Sequence, residues 1–147
     1  MLRAIVLAAG ESRRMGRPKA ALPVYPAGPS FAAAAVAALR AAGLGEVVVV
    51  AGAHPEAVSA AVEGLEGVRL LVHEGWAAGQ LSSLRAALDA VDAPGVEAIV
   101  VTLVDCPRVR PSTVVQLTDT WRATRAPIVR PLVGDRHGHP VVFDRIT

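Results

Sequence analysis

At 147 residues the chain has the length for one domain with an enclosed core and little more. Its apolar content of 52% is mostly Ala and Val in short segments, and the opening apolar run gives way to a glycine and then to charged residues, so neither a bilayer span nor a secretory leader is expected and the cytoplasm is the expected location. A formal charge of +2, 3% aromatic residues and dispersed arginines argue against a polynucleotide partner, and the single Cys106 excludes an internal disulfide or a cysteine-built zinc cluster.

Taken in chain order, β-branched apolar runs alternate with alanine-rich segments of helical length. The first strand is expected over Ala4 to Ala9 and the second over Glu46 to Val50, both buried on two faces. Between them Pro29 to Ala42 reads as a helix, with Pro29 in its first turn and Gly43 as a left-handed stop. Val68 to Val72 is a third strand, Gln80 to Val91 a helix, Ala98 to Val104 a fourth strand and Pro111 to about Thr124 a further helix. PIVRPLV and HPVVF then flank the turn-rich VGDRHG as two antiparallel strands. The pattern predicts an α/β fold: a Rossmann-like, mostly parallel sheet flanked by helices, with a C-terminal antiparallel hairpin, over one domain spanning 1–147.

In such sheets ligands sit beyond the carboxyl ends of the strands, which directs attention to three exits. The first carries LAAGESRRMGRPK, with small residues that let backbone approach a ligand and with Lys19, the only lysine in the chain. It is neither a GxGxxG fingerprint nor a Walker loop. Pro18 keeps Arg17 out of helical geometry, amides near Gly10 are placed to form an anion nest, and a compact ammonium suits a point contact with phosphate. An ordinary solvated basic loop is the alternative. The second exit, HEGWAAGQLSSL, offers amides and serines at a helix start, which equally well serve as plain helix-start residues. In the third, LVDCPRV, Asp105 ends an apolar strand where a carboxylate facing phosphates suits magnesium; a turn aspartate is the alternative. Nothing marks Cys106 as a nucleophile, and His137 and His139 without a third ligand are weak metal candidates.

LAAGESRRMGRPKAALP resembles the LAAGxSxRMGxPKxxLP signature of the MobA-like nucleotidyltransferases, with every fixed letter present, and is most similar to the molybdenum cofactor cytidylyltransferases. The resemblance implies the fold of nucleotide-diphospho-sugar transferases. It implies that Leu7, Ala8, Ala9, Gly10 and Ser12 meet the nucleotide, and that Arg14 and Lys19 meet its phosphates. HEGWAAGQLSSL is similar to the family stretch NPxWxxGMxxSL, which brings His73, Gly79 and Ser83 to the nucleotide, with His73 where asparagine is usual and Gln80 where methionine is usual. Asp105 in DCP corresponds to the family DxP and would hold Mg2+. GDRHGHPVVF is similar to GxxxGHPVxF and places Gly138, His139 and Pro140 on the acceptor side.

The implied reaction is nucleotidyl transfer from a nucleoside triphosphate, CTP or GTP with CTP favoured, to a phosphorylated acceptor such as molybdopterin, with Lys19, Arg14 and Asp105 as the catalytic set and a molybdoenzyme as a possible downstream partner. The family continues beyond GHPVxF to a second motif whose aspartate shares the metal, so the chain is expected to lack that C-terminal part; Asp135 and Asp144 are candidate substitutes. Two other readings stay open. One is a sugar phosphate as acceptor, although sugar nucleotidyltransferases open with a GGxGTRL type of segment. The other is a nucleotide-binding accessory protein without turnover.

Overall fold

A computed structural model describes residues 1–11 and 17–145. Strands β1 (Leu2–Ala8), β2 (Val47–Ala51), β3 (Val68–Val72) and β4 (Ala98–Leu103) are parallel, while β8 (Val141–Asp144) and β5 (Ile128–Val129) complete a six-stranded sheet in the order β3-β2-β1-β4-β8-β5. Helices α1 (Phe31–Ala41), α2 (Pro55–Val62), α3 (Gln80–Val91) and α4 (Pro111–Thr124) cover it.

Successive strand residues point to opposite faces, and both faces are closed. Ala4, Val6, Val47, Val49 and Val100 pack with Val36 and Leu39 of α1, Val58 of α2, and Val114 and Trp121 of α4. Ile5, Leu7, Val48, Val50 and Val101 pack with Ala87 and Val91 of α3. This two-sided burial is why β1 and β2 read as unbroken apolar runs rather than alternating ones. Thr102 of β4 is the exception: its buried hydroxyl finds no hydrogen-bond partner among the described residues.

The elements differ from the sequence reading in three informative places. Helix α1 begins at Phe31 because the Ser30 hydroxyl accepts from the Ala33 amide at 3.1 Å and so takes the N-cap, leaving Pro29 outside the helix. Helix α2, absent from the reading, carries its own start signals, Pro55 at the first position and Glu56 in the first turn. The segment PIVRPLV is two strands, since Pro131 has no amide to continue a ladder: Ile128–Val129 pairs with β8, whereas β6 (Leu132–Val133) forms a separate hairpin with β7 (Arg136–His137) around Gly134, at φ +63°.

The order of strands locates the ligand crevice. The chain steps from β1 through β2 to β3 in one direction, then returns to place β4 on the other side of β1. Such a reversal leaves the loops leaving β1 and β4 diverging around a gap at the carboxyl edge.

Candidate functional site

A cavity of about 370 Å³ occupies that gap, bordered by Leu7, Ala8, Ala9, Gly10, Lys19, Gly79, Ser83 and Asp105. The Lys19 Nζ stands 3.8 Å from Asp105 Oδ2, so the loop after β1 and the carboxylate after β4 meet in one place. The pair is partly exposed, with side chains 35% and 47% accessible. A pair so well solvated contributes little to folding, on the order of 0–1 kcal/mol.

Neighbouring loops hold the first loop in position. The Val104 amide donates to the Leu7 carbonyl at 3.0 Å and the Ala53 amide to the Ala9 carbonyl at 3.2 Å. His54 Nε2 donates to the Glu11 carbonyl at 2.8 Å; a carbonyl only accepts, so that nitrogen carries the hydrogen. Gly52 is required by space alone. A Cβ there would lie 2.5 Å from the Trp76 Cβ and 2.7 Å from the Ala9 oxygen, closer than any methyl can sit. Gly10 differs: among the described residues a Cβ there would meet no atom within 4 Å, so their packing does not demand its smallness.

On the second loop Gly79 adopts φ +107°, a conformation that favours glycine, and turns the chain into α3. Ser83 is buried and borders the cavity. Ser82 does not face it: its hydroxyl donates to the Gly79 carbonyl at 2.8 Å and lies 3.1 Å from His73 Nε2. His73 therefore braces the loop, and it is not among the residues bordering the cavity. Ser12 and Arg14 lie outside the described residues. Sequence reasoning did not name Gly52 or His54, while Trp76, which also borders the cavity, is the fixed tryptophan of the second loop's motif. The signal available for them was Gly-Ala-His-Pro at the exit of β2, a strand end facing the same edge as the other three loops.

Asp105 also borders a second cavity, of about 680 Å³, whose lining includes Gly138 and His139; Pro140, next in sequence, is buried. Cys106 borders the second cavity, its Sγ 3.7 Å from Asp105 Oδ1. Burial, reinforced by the Asp105 charge, pushes this thiol up, so it stays protonated at neutral pH and is no nucleophile. Among the described residues no three His, Cys, Asp or Glu side chains gather to hold a metal, and no helix is long and apolar enough to cross a membrane.

Residues 4–147 match the profile of the MobA-like NTP transferase domain. The chain is 38% identical over 125 residues to the probable molybdenum cofactor guanylyltransferase of Opitutus terrae, an alignment covering 85% of this chain and 58% of that relative. Among solved structures it is similar to Rv0371c from Mycobacterium tuberculosis H37Rv, with TM-score 0.81 and 38% identity over 98% of this chain and 71% of the other. The same protein solved in complex with manganese superposes with TM-score 0.79 at 35% identity over 98% and 71%. At 24% identity, a nucleotidyl transferase from Methanothermobacter thermautotroptrophicus shares the fold, with TM-score 0.77 over 98% of this chain and 71% of the other.

Proposed function

This chain belongs to the MobA-like NTP transferase domain family, and on that premise we propose that it catalyses nucleotidyl transfer. A phosphate oxygen of the acceptor attacks the α-phosphorus of a nucleoside triphosphate; the bond from that phosphorus to the oxygen bridging to the β-phosphate breaks, and pyrophosphate leaves. The observation that carries this reading is the meeting of Lys19 and Asp105 at the crevice between β1 and β4.

An ionised phosphate is already a nucleophile, so the site needs alignment and charge stabilisation rather than a general base. Lys19 offers a point charge to the triphosphate, and the backbone from Leu7 to Gly10 passes along the same cavity, where Gly10, lacking a side chain, allows close approach. Arg14 is assigned to the phosphates and Ser12 to the nucleotide by their places in the signature. Gly79 and Ser83 would line the opposite wall. His73 would act on the nucleotide through Ser82 and the loop that carries Gly79.

Magnesium is the proposed ion. Asp105 fits it: an exposed carboxylate bordering both cavities supplies a hard oxygen, and magnesium commonly takes one or two carboxylates and completes its shell with phosphate oxygens and water. Bound there, it would offset the negative charge spread over the phosphates. The chain spans 58% of the curated relative it matches, so the whole reaction is assigned here as a proposal. We take CTP as the nucleotide and molybdopterin as the acceptor from the GHPVVF resemblance, with Gly138, His139 and Pro140 on the acceptor side and a molybdoenzyme as the receiver of the product. The relative's name makes GTP the competitor.

Calorimetry with CTP, GTP and ATP in magnesium, paired with pyrophosphate release in the presence of molybdopterin, tests this. Release is expected only when nucleotide and acceptor are both present, fastest with CTP. Faster release with GTP reassigns the base. Binding without release under any pairing refutes catalysis and leaves a nucleotide-binding accessory protein.

A further inference from the structure

The second cavity differs in chemistry from the first. Arg108, Arg110, Arg136, His137 and His139 border it, and Asp105 is the one acidic side chain among its described lining residues. None of the three arginine side chains makes an ion pair or hydrogen bond among the described residues, whereas Arg3, Arg69, Arg122, Arg125 and Arg145 each meet a carboxylate. Arg110 additionally occupies the N-cap of α4, the end of a helix where positive charge is unfavourable and an anion is favourable. Three like charges around one cavity repel one another; solvent screens that repulsion at these exposed positions, and a bound anion offsets it further. The remaining wall is apolar, through Phe31, Val109 and Pro131.

We propose that, in this acceptor-side cavity, Arg108, Arg110 and Arg136 set specificity, selecting an organic acceptor that carries a second anionic centre in addition to the phosphate that reacts. The inference rests on the nucleotidyl transfer proposed above, which requires an acceptor phosphate beside Asp105. One phosphate near Asp105 satisfies one or two guanidinium forks, leaving at least one for a second anion. The volume, larger than that of the nucleotide cavity, leaves room for an apolar body between the two charged ends. Arg136 reaches the cavity from the β6–β7 hairpin and Arg108 from the loop after β4, so the arginine pair clamps the ligand from two independent segments.

The test uses the full chain, with inorganic phosphate and fructose 1,6-bisphosphate as probes, each with and without saturating CTP or GTP. Backbone amide NMR shifts at Val109 and Gly138 report the second cavity, and those at Gly10 and Gly79 the first. The bisphosphate is expected to move Val109 and Gly138 at concentrations at least about tenfold below those of inorganic phosphate, and a bound nucleotide leaves that response in place. Arg108→Gln with Arg136→Gln should weaken the bisphosphate at least about tenfold, while Arg85→Gln with Arg122→Gln, which lowers the net charge equally, should not. Arg136→Gln alone, in an exposed hairpin, supplies the same comparison should the double variant fail to fold. Shifts confined to Gly10 and Gly79, equal affinity for the two probes, or equal weakening by both pairs of substitutions would overturn the proposal. A response at Val109 and Gly138 with no response of Gly10 and Gly79 to any nucleotide would instead strike at the nucleotidyl transfer reading.

Discussion

The two edges of the sheet treat charge in opposite ways. At the amino edge of the parallel strands, positive groups are matched: the Met1 amine meets Glu97 at 2.8 Å, Arg3 and Arg69 share Glu46, Arg125 meets Glu97 at 3.3 Å and Arg145 meets Asp92 at 2.8 Å. Beneath them Trp121 is buried, its Nε1 donating to Asp144 at 2.8 Å with the Arg125 guanidinium stacked 4.2 Å above its ring. At the carboxyl edge, Lys19 and Asp105 stand 3.8 Å apart in solvent and three arginines have no ion-pair partner among the described residues. Charges that serve folding are neutralised within the chain. At the other edge Arg108, Arg110 and Arg136 meet no carboxylate among the described residues.

If that division is sound, substitutions at the two edges should move different measurements. The largest effect belongs to Trp121→Ala, which empties a fully buried site and orphans a hydrogen bond; a loss of about 3–5 kcal/mol is expected in denaturant unfolding, with nucleotide affinity of the folded fraction unchanged. A fall in affinity matching the fall in stability would erase the distinction between the edges. Lys19→Ala is its mirror: turnover drops on the order of 10²-fold while unfolding changes by less than about 1 kcal/mol. Wild-type pyrophosphate release in that variant would remove Lys19 from catalysis.

Gly52→Ala sharpens the comparison, because it lies at the functional edge yet is held by packing. Its methyl must displace Trp76 or Ala9, and a cost of roughly 1–3 kcal/mol with weaker nucleotide binding is expected from unfolding curves and calorimetry together. Unchanged affinity would show that Ala9 and Trp76 do not need their present positions. The smallest effect is Glu97→Gln. The amino terminus, and after it Arg125, hold the Glu97 carboxyl below its usual range. A lowered folded-state value stabilises above the unfolded carboxylate range and is lost as pH falls through the folded value, so the variant should lose a slight stability at neutral pH and flatten the acid limb of the Tm profile.

Much of the fold was legible because local chemistry encodes it. Buried parallel strands need apolar residues on both faces, so β1 and β2 announce themselves as Ala4–Ala9 and the run of valines that follows Glu46. Asp105 was readable from its place at a strand end and Gly79 from its place at a helix start. Helix α2 was missed although Pro55 and Glu56 mark its start, because eight residues present too few turns for a periodic pattern. His73 was expected at the nucleotide from its place in a motif; its ring nitrogen meets Ser82, which no spacing could announce.

What the amino-acid order determined by itself was therefore the alternation of strands and helices, the three ligand-facing loops, and the residue types able to handle phosphate, since propensity, turn chemistry and charge act within a few positions. Tertiary structure alone decided that β8 inserts between β4 and β5, that Gly52 must yield its space to Ala9 and Trp76, and that Arg108 and Arg136 share a cavity. Those outcomes depend on how crossovers return distant segments to one edge of a sheet, and contacts closed across such loops leave no mark in the local pattern of either segment.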